Sequence, residues 1–384
     1  MDQLLHTMTL MFALTAVAAT VGMFARQPLI IVYIVLGCVL GPYALGWIGE
    51  SHAIEQLGHI GIIFLLFIVG LDLPTNRIKN VFRQSILTVL VSSVVFFGAG
   101  FGLGFLLGFD SREAMITALA FLFSSTIVGV KLIPRTALHH RRVGELVIGL
   151  LILQDILAVL ALIYVASSGE PISPLAWLKV FGVPPLIVIG AVIGAKFVFW
   201  PLMKKFDVVT EYTFLMFLGW CMGVAFCAEA VGVTFEIGAF IAGVSLANSA
   251  TAQAVASTLE PLQDFFLVLF FFYVGTTVDP VLLWSVAWQA GLLALVCVLI
   301  KPLVFRYLIG WCGEDRQTSW EVGYRLGQNS EFSLLILYVA AAQMSEQASL
   351  AVLGATVLTI LISSYIVVFN FKNPIALTDR LRVS

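Results

Sequence analysis

The sequence predicts an all-α polytopic membrane protein with about 13 transmembrane helices. Two features of its composition support this fold class. Of the 384 residues, 60% are hydrophobic, with a mean hydropathy of +1.05, and only 11% are charged. A soluble domain would have about a quarter of its residues charged. The third observation is a succession of apolar segments of about 20 residues, the length that a helix needs to cross the hydrocarbon core.

Such segments occur roughly thirteen times, and their loops differ in charge. The predicted spans lie near 4–24, 29–47, 54–72, 84–108, 113–133, 144–167, 175–201, 211–231, 233–249, 260–278, 281–309, 318–342 and 347–370. One set of alternate loops, with the C-terminal tail, has nearly all the lysines and arginines, whereas the other set has only Arg112 and Lys179. The positive-inside rule therefore predicts a cytoplasmic C-terminus and an outside N-terminus in the plasma (inner) membrane.

The composition also argues against several other classes of protein. The formal net charge of −2 gives no indication of a nucleic-acid partner. The sequence shows neither a nucleophile–base pair nor His and Cys residues at the spacing of metal ligands. We therefore expect that this protein is not an enzyme and has no bound cofactor. Its expected partners are the lipid bilayer and small solutes.

An internal similarity divides the chain into two halves. Its matches lie close to a single offset of 205 positions, and the copies are seven spans apart. An odd number of spans gives the two copies opposite topology, which is typical of secondary transporters. We predict one transmembrane domain over 1–384, with repeat one at about 1–170, a linker helix at about 175–201 and repeat two at about 211–370. The matches pair 67–70 with 272–275, Gly37 and Gly41 with Gly238 and Gly243, and 124–126 with 329–331.

Asp155 is the clearest candidate for a functional group. It lies about eleven residues into the sixth span, near the midplane, where an ionised side chain costs about 3 kcal/mol. Removal from water favours a protonated carboxyl, so Asp155 can bind either a proton or a desolvated monovalent cation, with the neutral amide of Gln154 beside it. Competition for one carboxylate indicates electroneutral cation/proton antiport. The alternative is a structural carboxylate held by a fixed partner.

Lys301 is the second ionisable residue predicted deep in a span, and it is followed by Pro302. A lysine at this depth pairs with an acid or loses its proton. We expect it to be a charge partner in the core together with Glu331 and Asn329. The alternative is a side chain that extends to the cytoplasmic edge of the membrane.

Polar clusters interrupt two further spans. Ser124, Ser125 and Thr126 lie inside the fifth span, and residues 327–331 lie at the equivalent position of the twelfth. We predict two discontinuous helices that cross near the midplane, with their unwound carbonyls and hydroxyls facing a cation. The alternative is ordinary hydrogen bonding of the hydroxyls to the preceding helical turn.

Two more charged residues have open roles at this stage. Arg325 could pair with Glu331 across the predicted break, although a spacing of six is poor for a continuous helix. Glu236 faces a cavity or pairs across the bundle, and the sequence does not distinguish these alternatives.

These residues resemble the Kef-type branch of the monovalent cation:proton antiporter-2 family, over nearly the whole chain. The Gln154–Asp155 pair is the most discriminating element, since electrogenic sodium antiporters of the superfamily typically have two adjacent aspartates there. The matching stretches are Ser124 to Ala158, Gly238 to Gly243, Leu259 to Phe271 and Gly327 to Phe332.

The resemblance implies a thirteen-span homodimer with a dimer/scaffold domain and a mobile core that works by an elevator movement. It implies that Asp155 is the ion-binding aspartate, Gln154 its amide neighbour and Lys301 the core lysine. Potassium efflux coupled to proton entry is the implied activity. Two departures are Glu236, where a neutral residue is expected, and the absence of a Gly-x-Gly-x-x-Gly motif before Ser384. Three alternatives follow for the soluble nucleotide-binding regulatory domain of this branch: the sequence is part of a longer protein that has it, another chain supplies it, or such regulation is absent.

Potassium/proton antiport is thus the leading prediction, and sodium/proton antiport is its closest alternative. A ligand-gated potassium channel is the alternative from another class. A channel needs a continuous hydrated pore and would not require a titratable carboxylate at its centre.

Overall fold

The computed structural model describes residues 2–25, 27–48, 52–71, 79–125, 129, 142–167, 174–206, 210–231, 233–247, 262 and 265–371, and all regular structure in these ranges is helical. The helices of the first half are α1 (Asp2–Phe24), α2 (Leu29–Leu40), α3 (His52–Leu71), α4 (Lys79–Leu106), α5 (Ser111–Phe121) and α6 (Arg142–Ser167). The linker region has α7 (Pro174–Gly194), a π-helical turn (Ala195–Phe199) and α8 (Trp200–Phe206). The second half has α9 (Thr210–Ala230), α10 (Phe235–Leu246), α11 (Phe265–Thr276), α12 (Pro280–Ser285), α13 (Ala287–Trp311), α14 (Arg316–Arg325), α15 (Glu331–Val339) and α16 (Glu346–Asn370).

The predicted spans coincide with these helices to within a few residues at most ends. Six described helices are long and apolar enough to cross a membrane, and five shorter helices are also apolar. The exact number of thirteen crossings remains a prediction. The six long spans are Ser85–Leu106, Arg142–Ala166, Pro185–Phe206, Glu211–Ala230, Ala287–Trp311 and Glu346–Asn370.

Short polar side chains define where several helices begin. Asp110 starts α5 with a capping box: its carboxylate accepts from the backbone N–H groups of Arg112 and Glu113, and Glu113 accepts from the Asp110 N–H. The Asp315 carboxylate accepts hydrogen bonds in the same way at the start of α14. Ser330 caps α15 by accepting from the Phe332 N–H. These caps fix the first turn of each half-helix that borders an interruption.

Two compact units divide the chain. Unit 1 comprises Met1–Gly49, Ile78–Val165 and Gly275–Ser384, and unit 2 comprises Glu50–Arg77 and Ala166–Val274. In unit 1, α13 packs against α4, α14 and α16, and α4 packs against α5. Small residues allow this approach: a methyl group on Gly104 would lie 2.8 Å from the Ala114 Cα. Unit 1 contains all of the predicted site residues that the structure describes.

Glycines of the internal repeat make equivalent contacts in the two units. In unit 2, α3 packs on α10, where Gly70 lies against Gly243 so closely that a methyl group on Gly243 would collide with the Phe67 carbonyl oxygen. In unit 1, Gly275 lies in the same way against Gly37 and the carbonyl oxygen of Ile34. The close glycine contacts therefore involve Gly243 and Gly275, which belong to stretches matched in the predicted repeat.

The two predicted interruptions are present in the fold. Helix α5 ends at Phe121, and residues 122–125 that follow are not helical. Helix α14 ends at Arg325, and α15 begins only at Glu331. Helix α6 is continuous through Asp155, and α13 is continuous through Pro302. The predicted span 281–309 differs, because it is divided at Val286 into the short α12 and the long α13.

Candidate cation and proton site

The two interrupted helices contact each other through side-chain hydrogen bonds to backbone carbonyls. The Ser124 hydroxyl donates to the Leu326 carbonyl at 2.8 Å, and the Gln328 amide donates to the Ser125 carbonyl at 3.4 Å. Just outside the breaks, the Ser333 hydroxyl of α15 donates to the Ala120 carbonyl of α5 at 2.6 Å. Ser124, Ser125, Gln328 and Ser333 are fully buried. We refer to residues 122–125 and 326–330 as the crossing. Thr126, the third predicted hydroxyl, lies outside the described residues.

Lys301 extends from α13 into the crossing. Its ammonium donates to the Phe123 carbonyl at 2.7 Å, to the Gln328 carbonyl at 3.0 Å and to Oδ1 of Asn329 at 3.1 Å. The C-terminal end of a helix leaves backbone carbonyls without helical partners and has a partial negative charge. Lys301 therefore supplies a donor and a positive charge to both broken helices at once. With 1% of its surface exposed, it lies in the interior of unit 1, which favours the core role over extension to the membrane edge.

Lys301 is held in place by packing as well as by hydrogen bonds. Its ammonium lies 5.5 Å from the centre of the Phe96 ring, a distance at which a cation is attracted to an aromatic face. The next residue, Pro302, packs against Gly323 and Gly327 of the segment that leads into the crossing. A methyl group on Gly323 would lie 2.7 Å from the Pro302 carbonyl oxygen, so α13 and α14 need glycine at this contact.

The amide of Gln154 binds the backbone of the first break. Its Oε1 accepts from the Ser124 N–H at 3.1 Å, and its Nε2 donates to the Leu122 carbonyl at 3.5 Å. A buried amide with both a donor and an acceptor can satisfy both kinds of free backbone group, which a carboxylate cannot do. Gln154 thus positions residues 122–124 of the first break.

Asp155 differs from Gln154 because its carboxylate takes no part in the hydrogen bonds described for the crossing. It lies on continuous α6 and is partly accessible, whereas Gln154 is fully buried. In the part of the chain that the structure describes, no group donates a hydrogen bond to the Asp155 carboxylate, and the charge that acts on it is that of Glu331, the first residue of α15.

Asn329 connects the crossing to two further helices. Its Oδ1 accepts from Lys301 and also from the Cys297 thiol at 3.1 Å. On the other side, its Nδ2 donates to the Thr356 hydroxyl at 3.4 Å and its backbone N–H donates to the Thr359 hydroxyl at 3.0 Å. Thr356, Thr359 and Cys297 were not predicted from the sequence as parts of the site. The available signal was the spacing of buried hydroxyls along one face of the otherwise apolar last helix.

The two charged residues with open roles both pair within their own units. Arg325, with 1% of its surface exposed, donates to the Glu321 carboxylate four residues earlier at 2.8 and 3.1 Å. Glu236 of α10 lies 3.7 Å from Nδ1 of His59 on α3, so the structure favours pairing across unit 2 over a position in a cavity. The Arg325 carbonyl also accepts from the Gln328 amide of the crossing at 2.9 Å.

Comparison with known proteins identifies the family. Residues 10–372 match the family described as sodium/hydrogen exchanger, transmembrane. A curated relative is the iron transporter MagA of Paramagnetospirillum magneticum (strain ATCC 700264 / AMB-1), 27% identical over 362 residues that cover 92% of this chain and 83% of the relative.

The fold is similar to that of solved antiporters. The sodium proton antiporter MjNhaP1 from Methanocaldococcus jannaschii at pH 8 superposes with a TM-score of 0.75 at 16% identity, covering 96% of this chain and 97% of that one. An electron-microscopy map of the same antiporter gives 0.70 at 14% identity, covering 95% and 96%. The chain therefore belongs to the sodium/hydrogen exchanger family, a family of membrane-embedded cation/proton antiporters. Its family and fold are those of secondary transporters and not of enzymes. The comparisons identify this broader family and not the Kef-type branch.

Proposed function

We propose that this antiporter exchanges a monovalent cation, potassium in the first instance, for a proton at Asp155. The observation that supports the proposal is the contrast within the site. Lys301, Gln154 and Asn329 are all bound to the backbone or to one another, whereas no described group donates to the Asp155 carboxylate. A carboxylate that is free of fixed donors can bind a cation or a proton, and one site cannot hold both.

The charges at the site support a 1:1 exchange. Lys301 contributes one positive charge, and Asp155 and Glu331 contribute two negative charges when ionised. The empty site then has a single excess negative charge, which either one monovalent cation or one proton neutralises. Gln154 adds no charge, so it leaves this balance unchanged. We infer electroneutral potassium efflux coupled to proton entry, with Ser124, Ser125 and Thr126 beside the cation path.

The remaining features of the proposal concern organisation. The equivalent contacts Gly70–Gly243 and Gly275–Gly37 support two inverted repeats around a linker helix. The distribution of lysine and arginine supports a cytoplasmic C-terminus in the plasma membrane. We further propose a homodimer that moves its core by an elevator mechanism, as the resemblance to Kef-type proteins implies.

The decisive experiment uses purified protein in liposomes that contain a pH dye. Separate additions of K⁺, Na⁺ and Fe²⁺ test the cation, the last because the relative from P. magneticum is named an iron transporter. We expect K⁺ to drive proton movement, and we expect Asp155→Asn to abolish it. Asp279→Asn is the matched control, since Asp279 is the half-buried cap of α12 and an amide oxygen preserves that cap.

Three outcomes would contradict parts of this proposal. Normal exchange by Asp155→Asn would remove Asp155 from its role. Cation flux without any proton movement, rising linearly with the driving force, would indicate a channel. Proton movement driven by Fe²⁺ but by neither K⁺ nor Na⁺ would exclude monovalent exchange.

A further inference from the structure

The last helix presents a row of buried hydroxyls to the second break. Thr356, Thr359 and Ser363, here named the hydroxyl row, are at most 2% exposed on α16. Spacings of three and four residues place them on one face of the helix. All three hydroxyls contact residues 328–329 of the crossing. A polar face on an otherwise apolar span thus meets the non-helical segment between α14 and α15.

The two threonines of the row can act only as acceptors toward the crossing. The Thr356 hydroxyl donates to the Val352 carbonyl at 2.9 Å, and the Thr359 hydroxyl donates to the Thr356 carbonyl at 2.8 Å. A hydroxyl has a single proton, so in both residues that proton is already used within α16. The oxygen that remains faces Asn329 and can receive a hydrogen bond but cannot donate one.

This restriction sets the orientation of the Asn329 amide. Because Thr356 accepts, the NH₂ group of Asn329 must face it, and Oδ1 must then face Lys301. In the reversed orientation the NH₂ group of Asn329 would face the Lys301 ammonium, and two donors cannot form a hydrogen bond with each other. Ser363 binds the neighbouring amide as a donor: its hydroxyl donates to Oε1 of Gln328 at 2.7 Å, with the Tyr324 carbonyl as a second, longer acceptor at 3.2 Å. Nε2 of Gln328 then donates to the carbonyls of Arg325 at 2.9 Å and Ser125 at 3.4 Å.

We propose that the hydroxyl row is a positioning element of the exchange reaction, which fixes the amides of Asn329 and Gln328 so that the acceptors of Lys301 stay in place. The inference rests on the proposed function, because it assigns the crossing to cation binding. The row does not touch the cation; it acts through the two amides. The competing explanation is that these hydroxyls only stabilise α16 by bonding to its own backbone.

The test compares Thr356→Val with Thr356→Ser and Ser364→Ala. Valine keeps the branched shape and removes the acceptor oxygen, whereas serine restores that oxygen. Ser364 is the matched control, because it is equally buried on α16 and its hydroxyl donates to the Ile360 carbonyl of its own helix. Loss of one neutral hydrogen bond corresponds to about a five- to tenfold change in an equilibrium constant. We expect Thr356→Val to raise the apparent KM for K⁺ by that factor with kcat within about twofold of wild type, and Thr356→Ser to restore it.

A binding measurement separates this inference from the proposed function. The apparent Kd for the cation is read from the rise in melting temperature of the detergent-solubilised protein with KCl, with choline chloride as the ionic-strength control. We expect Thr356→Val to weaken this Kd by the same factor, whether or not proton movement is seen. If the wild-type protein binds K⁺ but does not exchange it for protons, only the proposed function is contradicted. If the wild-type protein neither binds nor exchanges K⁺, both the proposed function and the positioning role are contradicted.

Other outcomes overturn the positioning role itself. Thr356→Val with wild-type KM and Kd would show that the amides hold their orientation without the row. An equal change in Ser364→Ala would indicate a general effect of hydroxyl loss in α16. If Thr356→Val does not yield folded protein, Ser363→Ala replaces it in the test, because that change removes the hydrogen bond from Ser363 to the Gln328 amide. Unchanged KM and Kd in Ser363→Ala would overturn the proposal.

Discussion

The Lys301 ammonium is hydrogen-bonded to the backbone carbonyl of Phe123 at 2.7 Å, across 178 positions of sequence. The same ammonium binds the Gln328 carbonyl, so a single side chain joins the ends of both broken helices. Methionine has a similar length but no donor and no charge. Lys301→Met should therefore destabilise the protein by about 3 kcal/mol or more, because several buried acceptors lose a charged partner together.

Thermal unfolding in detergent measures this effect, with Lys196→Met as the control. Lys196 is exposed on the linker region, so its variant should melt as wild type does. Equal melting temperatures for Lys301→Met and wild type would show that the carbonyls of Phe123 and Gln328 have other donors.

Gln154 gives a second prediction, which separates positioning from ion binding. Gln154→Leu leaves the Ser124 N–H and the Leu122 carbonyl buried without a partner, at a cost of about 1–3 kcal/mol each. We expect a lower melting temperature in the absence of any transported cation. Gln317→Leu is the control, since Gln317 uses only its backbone N–H at the start of α14. If the stability of Gln154→Leu fell only when K⁺ was present, Gln154 would be a ligand and not a positioning residue.

Glycine packing in unit 2 gives a third prediction. Gly243→Ala places a methyl group against the Phe67 carbonyl and should cost about 1–3 kcal/mol, because α3 and α10 must separate. Gly219→Ala on α9 is the matched control, since that position faces open space and alanine favours the helix. The melting temperature should fall for the first variant and stay constant or rise slightly for the second. Similar behaviour of the two variants would contradict the close contact of α3 with α10.

The cap of α14 gives a prediction about pH. Hydrogen bonds from Thr318 and Gln317 hold the pKa of the Asp315 carboxyl below its ordinary value. A lowered pKa means that the ionised cap stabilises the folded state above the unfolded pKa of about 3.9 and that this stabilisation is lost as the pH falls through the folded pKa. Asp315→Ala should thus lower the melting temperature at pH 7, and the difference from wild type should shrink below about pH 4. Asp315→Asn keeps a capping oxygen but no ionisable group, so its deficit at pH 7 should be smaller and should change with pH by the same amount. A pH-independent deficit for Asp315→Ala would argue against the ionised cap.

The interruptions and the depth of Lys301 could be predicted from sequence because polar groups are costly in a membrane and stand out against apolar spans. The partners of these groups could not be predicted. Gln154 was expected beside a cation, but its amide is bound to backbone that became available only when α5 ended at Phe121. The division at Val286 was missed because no glycine or proline marks that position.

The hydroxyl row shows a different limit of sequence analysis. Serine and threonine in apolar helices usually bond to their own backbone, and that expectation is fulfilled at Thr356 and Thr359. Each hydroxyl donates its only proton to a carbonyl of α16, so its oxygen is left as an acceptor toward Asn329. Only the position of Asn329, 27 residues earlier than Thr356, reveals that consequence.

The charge of Lys301 has a consequence for leakage under the proposed exchange. With a cation or a proton bound at Asp155, the positive and negative groups of the site balance, and a neutral assembly can cross the low-dielectric part of the bilayer. With nothing bound, one negative charge is unmatched, and its transfer away from water costs several kcal/mol. An unloaded carrier is thus held on the side where it released its cargo until the next ion arrives. The lysine that holds two broken helices together would in this way also enforce strict coupling of the two fluxes.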